Sequence, residues 1–270
     1  MNLTQIASTL RFDIIKMSNL AKAPHLASSL SCIDIVLTLY EKVLKIFPKN
    51  PKNPNRDRFI LSKGHAATSL YVTLAFKGFF KKKYLKTYTK NGSLLEEHPN
   101  PSIKGVEAAT GSLGHGLPIG CGISLAAKIN KKNYKTVVLL GDGECNEGTN
   151  WEAAMFASSK KLNNLFVIID NNGWQGIGRT KDILNIKLLK EKWKSFGWNC
   201  FTINGHNYKQ IEKVFKKKKN KKPTAIIAST IKGKGISFME DDNNWHYRIP
   251  NDKEVAKCKK ELKIQVENEE

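Results

Sequence analysis

The second half of the chain limits the possible folds more than any other feature. Short, continuous apolar runs alternate there with stretches of helical spacing. Thr136 to Leu140 is β-branched and apolar, and Leu165 to Asp170 and Thr224 to Thr230 repeat the pattern. Helices are predicted over Asn150 to Leu162, Leu188 to Phe196 and Tyr208 to Lys217, with another strand over Trp198 to Ile203. A strand that is apolar on both faces must be covered on both, as in parallel sheets with crossover helices. The expected class is α/β: a doubly wound, mostly parallel sheet with helices on both faces.

The first half predicts helices over Leu3 to Leu20 and Ser31 to Phe47, then a Pro- and Asn-rich loop to Arg56 and a short strand, Arg58 to Leu61. A helix over 65–78 and a short polar one over Lys81 to Thr89 follow. A long loop with Gly and Pro spans Lys90 to Gly111, and Gly114 to Ile129 reads as a buried helix of small and apolar residues. The expectation is a single domain over 1–270 with a helical N-terminal segment at about 1–56.

The charge invites a nucleic-acid reading: 45 cationic residues against 24 acidic ones gives +21. Only five are Arg (Arg11, Arg56, Arg58, Arg179, Arg248), leaving 40 Lys. Arg is the residue suited to bidentate phosphate and base contacts. A Lys and Asn excess follows from A/T-rich codons, so no nucleic-acid partner is expected. The lysine run Lys216 to Lys222 reads as a solvated turn, and the acidic end, Glu267 to Glu270, as a frayed tail. No apolar run approaches the ~18 residues of a membrane span. Arg11 and Asp13 interrupt the apolar start, so it is no secretory signal, and a cytoplasmic protein is expected. Five widely spaced cysteines without a C-x-x-C pair suggest neither zinc nor disulfides.

In open parallel sheets ligands bind beyond the carboxyl ends of the strands. Three loops hold that position: Gly141-Asp142-Gly143-Glu144, Asn171-Asn172-Gly173-Trp174 and Ile231-Lys232-Gly233-Lys234-Gly235. Asp142 offers a hard carboxylate and Asn172 an amide oxygen, which suit Mg²⁺ or Ca²⁺ completed by phosphate oxygens. Gly141 and Gly143 let backbone N–H groups approach a diphosphate. A Gly-Asp-Gly turn alone is more readily explained as a tight β-turn. The separation of Asp142 from Asn172 by one strand–helix–strand unit strengthens the ligand reading.

The tract from Gly141-Asp142-Gly143-Glu144 to Asp170-Asn171-Asn172-Gly173, with Trp151-Glu152-Ala153-Ala154 and Lys161 to Leu165 inside it, resembles the thiamine-diphosphate motif. Ser62-Lys63-Gly64-His65, Glu97-His98-Pro99, Thr110-Gly111-Ser112-Leu113-Gly114-His115-Gly116, His25 with Ser29-Leu30-Ser31, and Thr230 to Gly235 with His246 narrow the resemblance to the transketolase family. The resemblance implies metal binding by Asp142, Asn172 and the carbonyl of Trp174. It implies cofactor binding by His65, Gly111, Ser112, Leu113, Gly141, Asp142, Gly143, Glu144, Asn172 and His246. His25, His98 and His246 become the catalytic candidates, with His25 and His98 lining the substrate channel. His115 stands where relatives often have Gln. Trp174 is expected near the aminopyrimidine edge, and Arg179-Thr180 to mark a specialised sugar-pathway variant. Glu147 and Glu152 match acidic positions near a subunit interface, or are an ordinary acidic first helical turn. His206, after Gly205, has no role beyond a loop or cap.

What the resemblance implies is transfer of a two-carbon ketol unit between sugar phosphates in carbohydrate metabolism. Nothing in the chain resembles the family's second domain. The expectation is therefore the N-terminal subunit of a split transketolase, working in a heterotetramer with a C-terminal subunit, two copies of each. A decarboxylating synthase acting on pyruvate and a basic nucleic-acid-binding protein remain as alternatives.

Overall fold

The computed structural model describes residues 2–217 and 221–264. Lys218 to Asn220 of the lysine run and the acidic end Glu267 to Glu270 lie outside the described residues. Strands β1 (Arg58–Leu61), β2 (Thr136–Gly141), β3 (Leu165–Asn171), β4 (Asn199–Asn204) and β5 (Thr224–Ser229) form one sheet in the order β1-β2-β3-β5-β4. Every neighbouring pair is parallel.

Alternate residues of the central strands feed two separate cores. Val137 and Leu139 of β2, Phe166 and Ile168 of β3, and Ile226 and Ala228 of β5 face one side. They meet α1 (Leu3–Ala21), α2 (Leu26–Thr38), α3 (Ala67–Phe76), α8 (Tyr208–Lys216) and α9 (Asp252–Glu261). Val138, Leu140, Val167, Ile169, Ala225 and Ile227 face the other, against α4 (Gly116–Ile129), α5 (Gly148–Ser159) and α7 (Leu189–Ser195). Burial on both faces explains the unbroken apolar runs, and the doubly wound α/β expectation holds.

Several boundaries differ from expectation. Helix α2 begins at Leu26 rather than Ser31, because Ser28, Ser29 and Ser31 are buried inside it. It passes into a π-helical turn over Leu39–Val43 instead of continuing to Phe47. Helix α4 is buried on one face only: Leu117, Cys121 and Ala127 are covered, while Ile119 and Ile129 are exposed. Helices α6 (Thr180–Ile183) and α9 were not expected. The second is largely polar and is specified by its cap, where Asn251 and Glu254 exchange side-chain-to-backbone hydrogen bonds. Among the described residues no helix is long and apolar enough to cross a membrane.

Gly64 lets the loop after β1 pack against the Thr110–Gly111 backbone. A Cβ at that position would lie 2.6 Å from the Gly111 nitrogen and 2.7 Å from the Thr110 carbonyl carbon. The obstacle is backbone, which cannot swing aside. Gly64→Ala should therefore destabilise the chain by about 1–3 kcal/mol in urea unfolding, and a variant as stable as the parent would show that this contact is not tight.

Candidate active site

Because all five strands run parallel, their carboxyl ends share one edge, and the loops leaving it carry the polar residues. Asp170, near the end of β3, is fully buried. Its carboxylate accepts from Ser31 Oγ of α2, from Lys63 Nζ after β1 and from Thr230 Oγ1 after β5. Asn172 Nδ2 lies 3.5 Å from it and donates to Ser31 Oγ at 3.1 Å. Burial alone would lower the Lys63 ammonium pKa, but the adjoining Asp170 carboxylate raises it above the ordinary lysine value. This ion pair fastens three loops and one helix to a single carboxylate.

Asp142 sits directly beyond β2, whose last residue, Gly141, is in register with Asp170. Asp142 and Asn172 therefore stand at neighbouring strand ends. Asp142 Oδ2 accepts from Gly173 N and Thr180 Oγ1, each at 2.9 Å. Burial, with the Asp170 charge nearby, pushes the Asp142 carboxyl up to about 6. Asn172 Oδ1 accepts from Trp174 N at 3.0 Å. The third loop brings in Lys232, whose Nζ reaches Asn243 Oδ1 at 2.7 Å, His246 Nδ1 at 2.9 Å and Gln175 O at 3.3 Å. Burial, and then repulsion from Lys63, lower the Lys232 amine to about 7.

Three of the expected histidines converge. The His25 ring centre lies 5.5 Å from that of His65 and 5.0 Å from that of His246, and His65 lies 5.9 Å from His246. Burial, together with the nearby lysines, drives His65 well below the ordinary value and His246 down to about 3, so both are neutral. Lys232 donates to His246 Nδ1, which assigns the His246 proton to Nε2. His25 is also lowered by burial, although Glu97 opposes this from 3.1 Å at Nδ1. The neutral ring then carries its proton on Nδ1 and presents Nε2 as an acceptor. His25 adopts φ 68°, the left-handed region, and its N–H is anchored on His246 O at 2.7 Å. His98 packs on Gly111 instead. A Cβ on Gly111, which has φ +141°, would strike its ring at 2.7 Å.

Other expected residues take different positions. Glu144 is buried and brackets loops from within the protein. It accepts from Ser62 Oγ and Gly114 N through Oε1, and from Gly141 N through Oε2. Gly143 is closely approached by Gln175, whose Cγ would lie 2.6 Å from an added Cβ. Gly111 and Leu113 are half-buried and Ser112 is exposed. His115 folds onto Ser112 O and Leu113 O, away from the other histidines. The Trp174 indole stacks 3.7 Å from the Arg179 guanidinium, and both bond Asp241. Arg179 is thus held in a clasp between two loops. Glu147, the N-cap residue of α5, and Glu152, within it, are exposed.

Sequence reasoning assigned no role to Asp170, Lys63, Gln175 or Lys232. Lys63 and Lys232 lie in tracts that were singled out, but the lysine-rich background hides any one lysine.

The fold and this edge define an α/β domain of the diphosphate-binding class. The family model described as "Transketolase, thiamine diphosphate binding domain" matches residues 3–269. An apulose-4-phosphate transketolase subunit from Phocaeicola vulgatus is 39% identical over 259 residues, 95% of this chain and 92% of that protein. A 6-deoxy-6-sulfo-D-fructose transketolase subunit from a Clostridium species is 40% identical, with 80% of each chain covered. The crystal structure of Campylobacter jejuni transketolase superposes with a TM-score of 0.90 at 33% identity, over 97% of this chain and 43% of that one. The chain belongs to the transketolase family, matching its thiamine diphosphate binding domain, and spans less than half the length of that solved transketolase.

The residues fit the cofactor. Gln175 Nε2 is buried without a hydrogen-bond partner beside Gly143, a free donor suited to a phosphate oxygen. The raised Asp142 carboxyl is a hard donor that a divalent cation would relieve, with Asn172 Oδ1 and the Trp174 carbonyl as further oxygens.

Asp142 ionises at about 6 in the folded chain against an ordinary 3.8, so the native state holds this proton more tightly than the unfolded one. Its contribution to stability is greatest below about pH 4 and is lost as pH rises through about 6. Asp142→Asn keeps an acceptor for Gly173 and Thr180 but carries no charge. At pH 7 it should be more stable than the parent by about 1–3 kcal/mol, an advantage that shrinks towards pH 4 in paired urea titrations. An advantage independent of pH would contradict the assigned burial cost.

Proposed function

We propose that the chain is the N-terminal subunit of a split transketolase. With thiamine diphosphate and Mg²⁺ it transfers a two-carbon ketol unit from a ketose phosphate to an aldose phosphate, assembled with a separate C-terminal subunit, two copies of each. The observation that carries this reading is that Asp142 and Asn172 stand at neighbouring strand ends, and that Lys232 links the loop following Asn172, at Gln175 O, to His246 of the His25, His65 and His246 cluster. A metal–diphosphate anchor accounts for the first pair. Neutral imidazoles beside it suit sugar hydroxyl and carbonyl oxygens better than the carboxylate of pyruvate.

When bound, thiamine diphosphate supplies the electron sink for breaking and forming a carbon–carbon bond. The chain's residues bind and orient. Asp142, Asn172 and the Trp174 carbonyl would hold the cation, with Gln175 Nε2 and Lys232 near the diphosphate. His25 Nε2, an acceptor, takes a proton from a substrate hydroxyl, while His246 Nε2–H donates to a developing oxyanion. His98 completes the wall of the substrate channel.

Two features support a partner subunit. Matched relatives are named as subunits. Large apolar side chains are also exposed on this chain: Ile119 and Ile129 on α4, Met155 and Phe156 on the adjoining α5, and Ile177, Leu184 and Leu188 beyond β3. The free state of all five cysteines fits a reducing, cytoplasmic compartment.

The test is reconstitution with the C-terminal subunit. Asp142→Ala and Asn172→Ala should each lose at least tenfold in thiamine diphosphate retained after desalting. His25→Ala should retain cofactor but lower kcat by about 10²- to 10⁴-fold. Ketol transfer from a ketose phosphate is the expected activity; release of CO₂ from pyruvate without ketol transfer would sink the assignment.

A further inference from the structure

His206 lies outside the histidine cluster, yet it is bonded on both ring nitrogens. Its Nε2 lies 2.9 Å from the backbone nitrogen of Ile231. A backbone N–H can only donate, so Nε2 must accept, and the neutral ring carries its proton on Nδ1. That Nδ1 lies 2.8 Å from Asp34 Oδ2. Asp34, on α2, is buried and also accepts from Arg11 Nη2 and, at 3.0 Å, from Tyr208 OH. Burial alone would raise its carboxyl, but the hydrogen bond from His206 and the Arg11 charge hold it below the ordinary range.

Arg11 has a second contact on the same loop. Its Nε donates to Lys234 O at 2.9 Å, and its side chain packs on Gly235, where a Cβ would meet Arg11 Cδ at 2.7 Å. Asp34 therefore directs two arms at one short segment. One holds Ile231 N through His206 and the other holds Lys234 O through Arg11. Between those two backbone atoms lies Lys232, whose amine projects to His246, Asn243 and Gln175 on the ligand side. Gly205 permits the close approach, since a Cβ there would lie 2.4 Å from Thr230 Cγ2.

We propose that Asp34, His206 and Arg11 form a buried two-armed clamp that fixes residues 231–234 and so aims the Lys232 amine into the site. His206 is a positioning residue in this scheme: it acts through Lys232 and does not itself reach the ligand. The value of the clamp to the enzyme rests on the function proposed above, but its mechanics do not.

The test separates the two ends of the His206 arm, Ile231 N and Asp34, in the full chain, free of cofactor. The Gln amide tip falls near the Nε2 position and can accept from Ile231 N–H. The Asn tip falls near Nδ1 and can serve only Asp34. Hydrogen–deuterium exchange of residues 230–236 should stay within about threefold of the parent in His206→Gln. In His206→Asn it should accelerate at least tenfold, with β3 unchanged. Acylation of Lys232 against pH, followed by peptide mass spectrometry, should have its midpoint near 7 in the parent and His206→Gln. In His206→Asn the midpoint should move up by at least one unit as the amine loses its buried position. Equal exchange and equal Lys232 midpoints in the two variants would overturn the clamp, whatever their melting temperatures. Calorimetric titration with thiamine diphosphate and Mg²⁺ then tests the function separately. If His206→Asn shows the exchange and midpoint changes but the parent assembly binds no cofactor, the clamp stands and the proposed function falls.

Discussion

The candidate site depends on one buried carboxylate. Asp170 is reached from α2 by Ser31, from the β1 loop by Lys63 and from the β5 loop by Thr230, with Asn172 of its own loop beside it. Removing a carboxylate from water costs several kcal/mol unless a counter-charge and further hydrogen bonds replace the lost hydration. Here both are present, and each partner comes from a different part of the chain. Losing one member would leave the others buried and unpaired. The ion pair therefore contributes little net stability compared with an apolar core of equal volume. It makes alternative arrangements of these loops costly, and so fixes where Asn172 and its neighbours stand.

The same edge contains charges that do not balance as well. Asp142 is buried close enough to Asp170 for the two carboxylates to repel, while Lys232 is depressed partly by Lys63. Lys63 offsets part of the cost at Asp142, and Asp142 and Asp170 offset part of it at Lys232, but burial outweighs both. A divalent cation would relieve Asp142, and a diphosphate would relieve Lys232 and satisfy Gln175 Nε2. Both groups would thus gain from a bound ion of opposite charge. His25 adds backbone strain, since a non-glycine residue at φ 68° is kept there by its bonds to His246 O and Glu97.

Much of this was legible in the sequence, and the limits have physical causes. The unbroken apolar runs required a two-sided parallel sheet, and the loops after the strands pointed to the edge where the buried polar residues gather. That Asp142 and Asn172 stand side by side followed from one intervening strand–helix–strand unit. Helix α9 was missed because only its cap, Asn251 with Glu254, marks it, and its surface is mostly polar. The start of α2 was missed because Ser28, Ser29 and Ser31 favour caps and turns in isolation, whereas here they are buried among Thr68, Cys32 and Asp170. Glu144 was read as a ligand contact from its place in the motif. Its bonds to Gly114 and Gly141 depend on a loop that lies near it only after folding.

Charge carries the same lesson further. The chain has forty lysines, and on exposed faces they need no individual explanation. Burial separates two of them from the rest. Among the described residues Lys63 and Lys232 are the buried lysines, each 1% exposed, and both sit at the ligand edge. A bias towards Lys codons can place a lysine on a surface at little cost, but it cannot keep one dehydrated. Each buried ammonium must be matched by acceptors, and here those acceptors are built from distant parts of the chain: Asp170 and Ser28 O for Lys63; Gln175 O, Asn243 and His246 for Lys232. The two lysines that matter to the site are distinguished by what surrounds them, and those surroundings exist only in the folded chain.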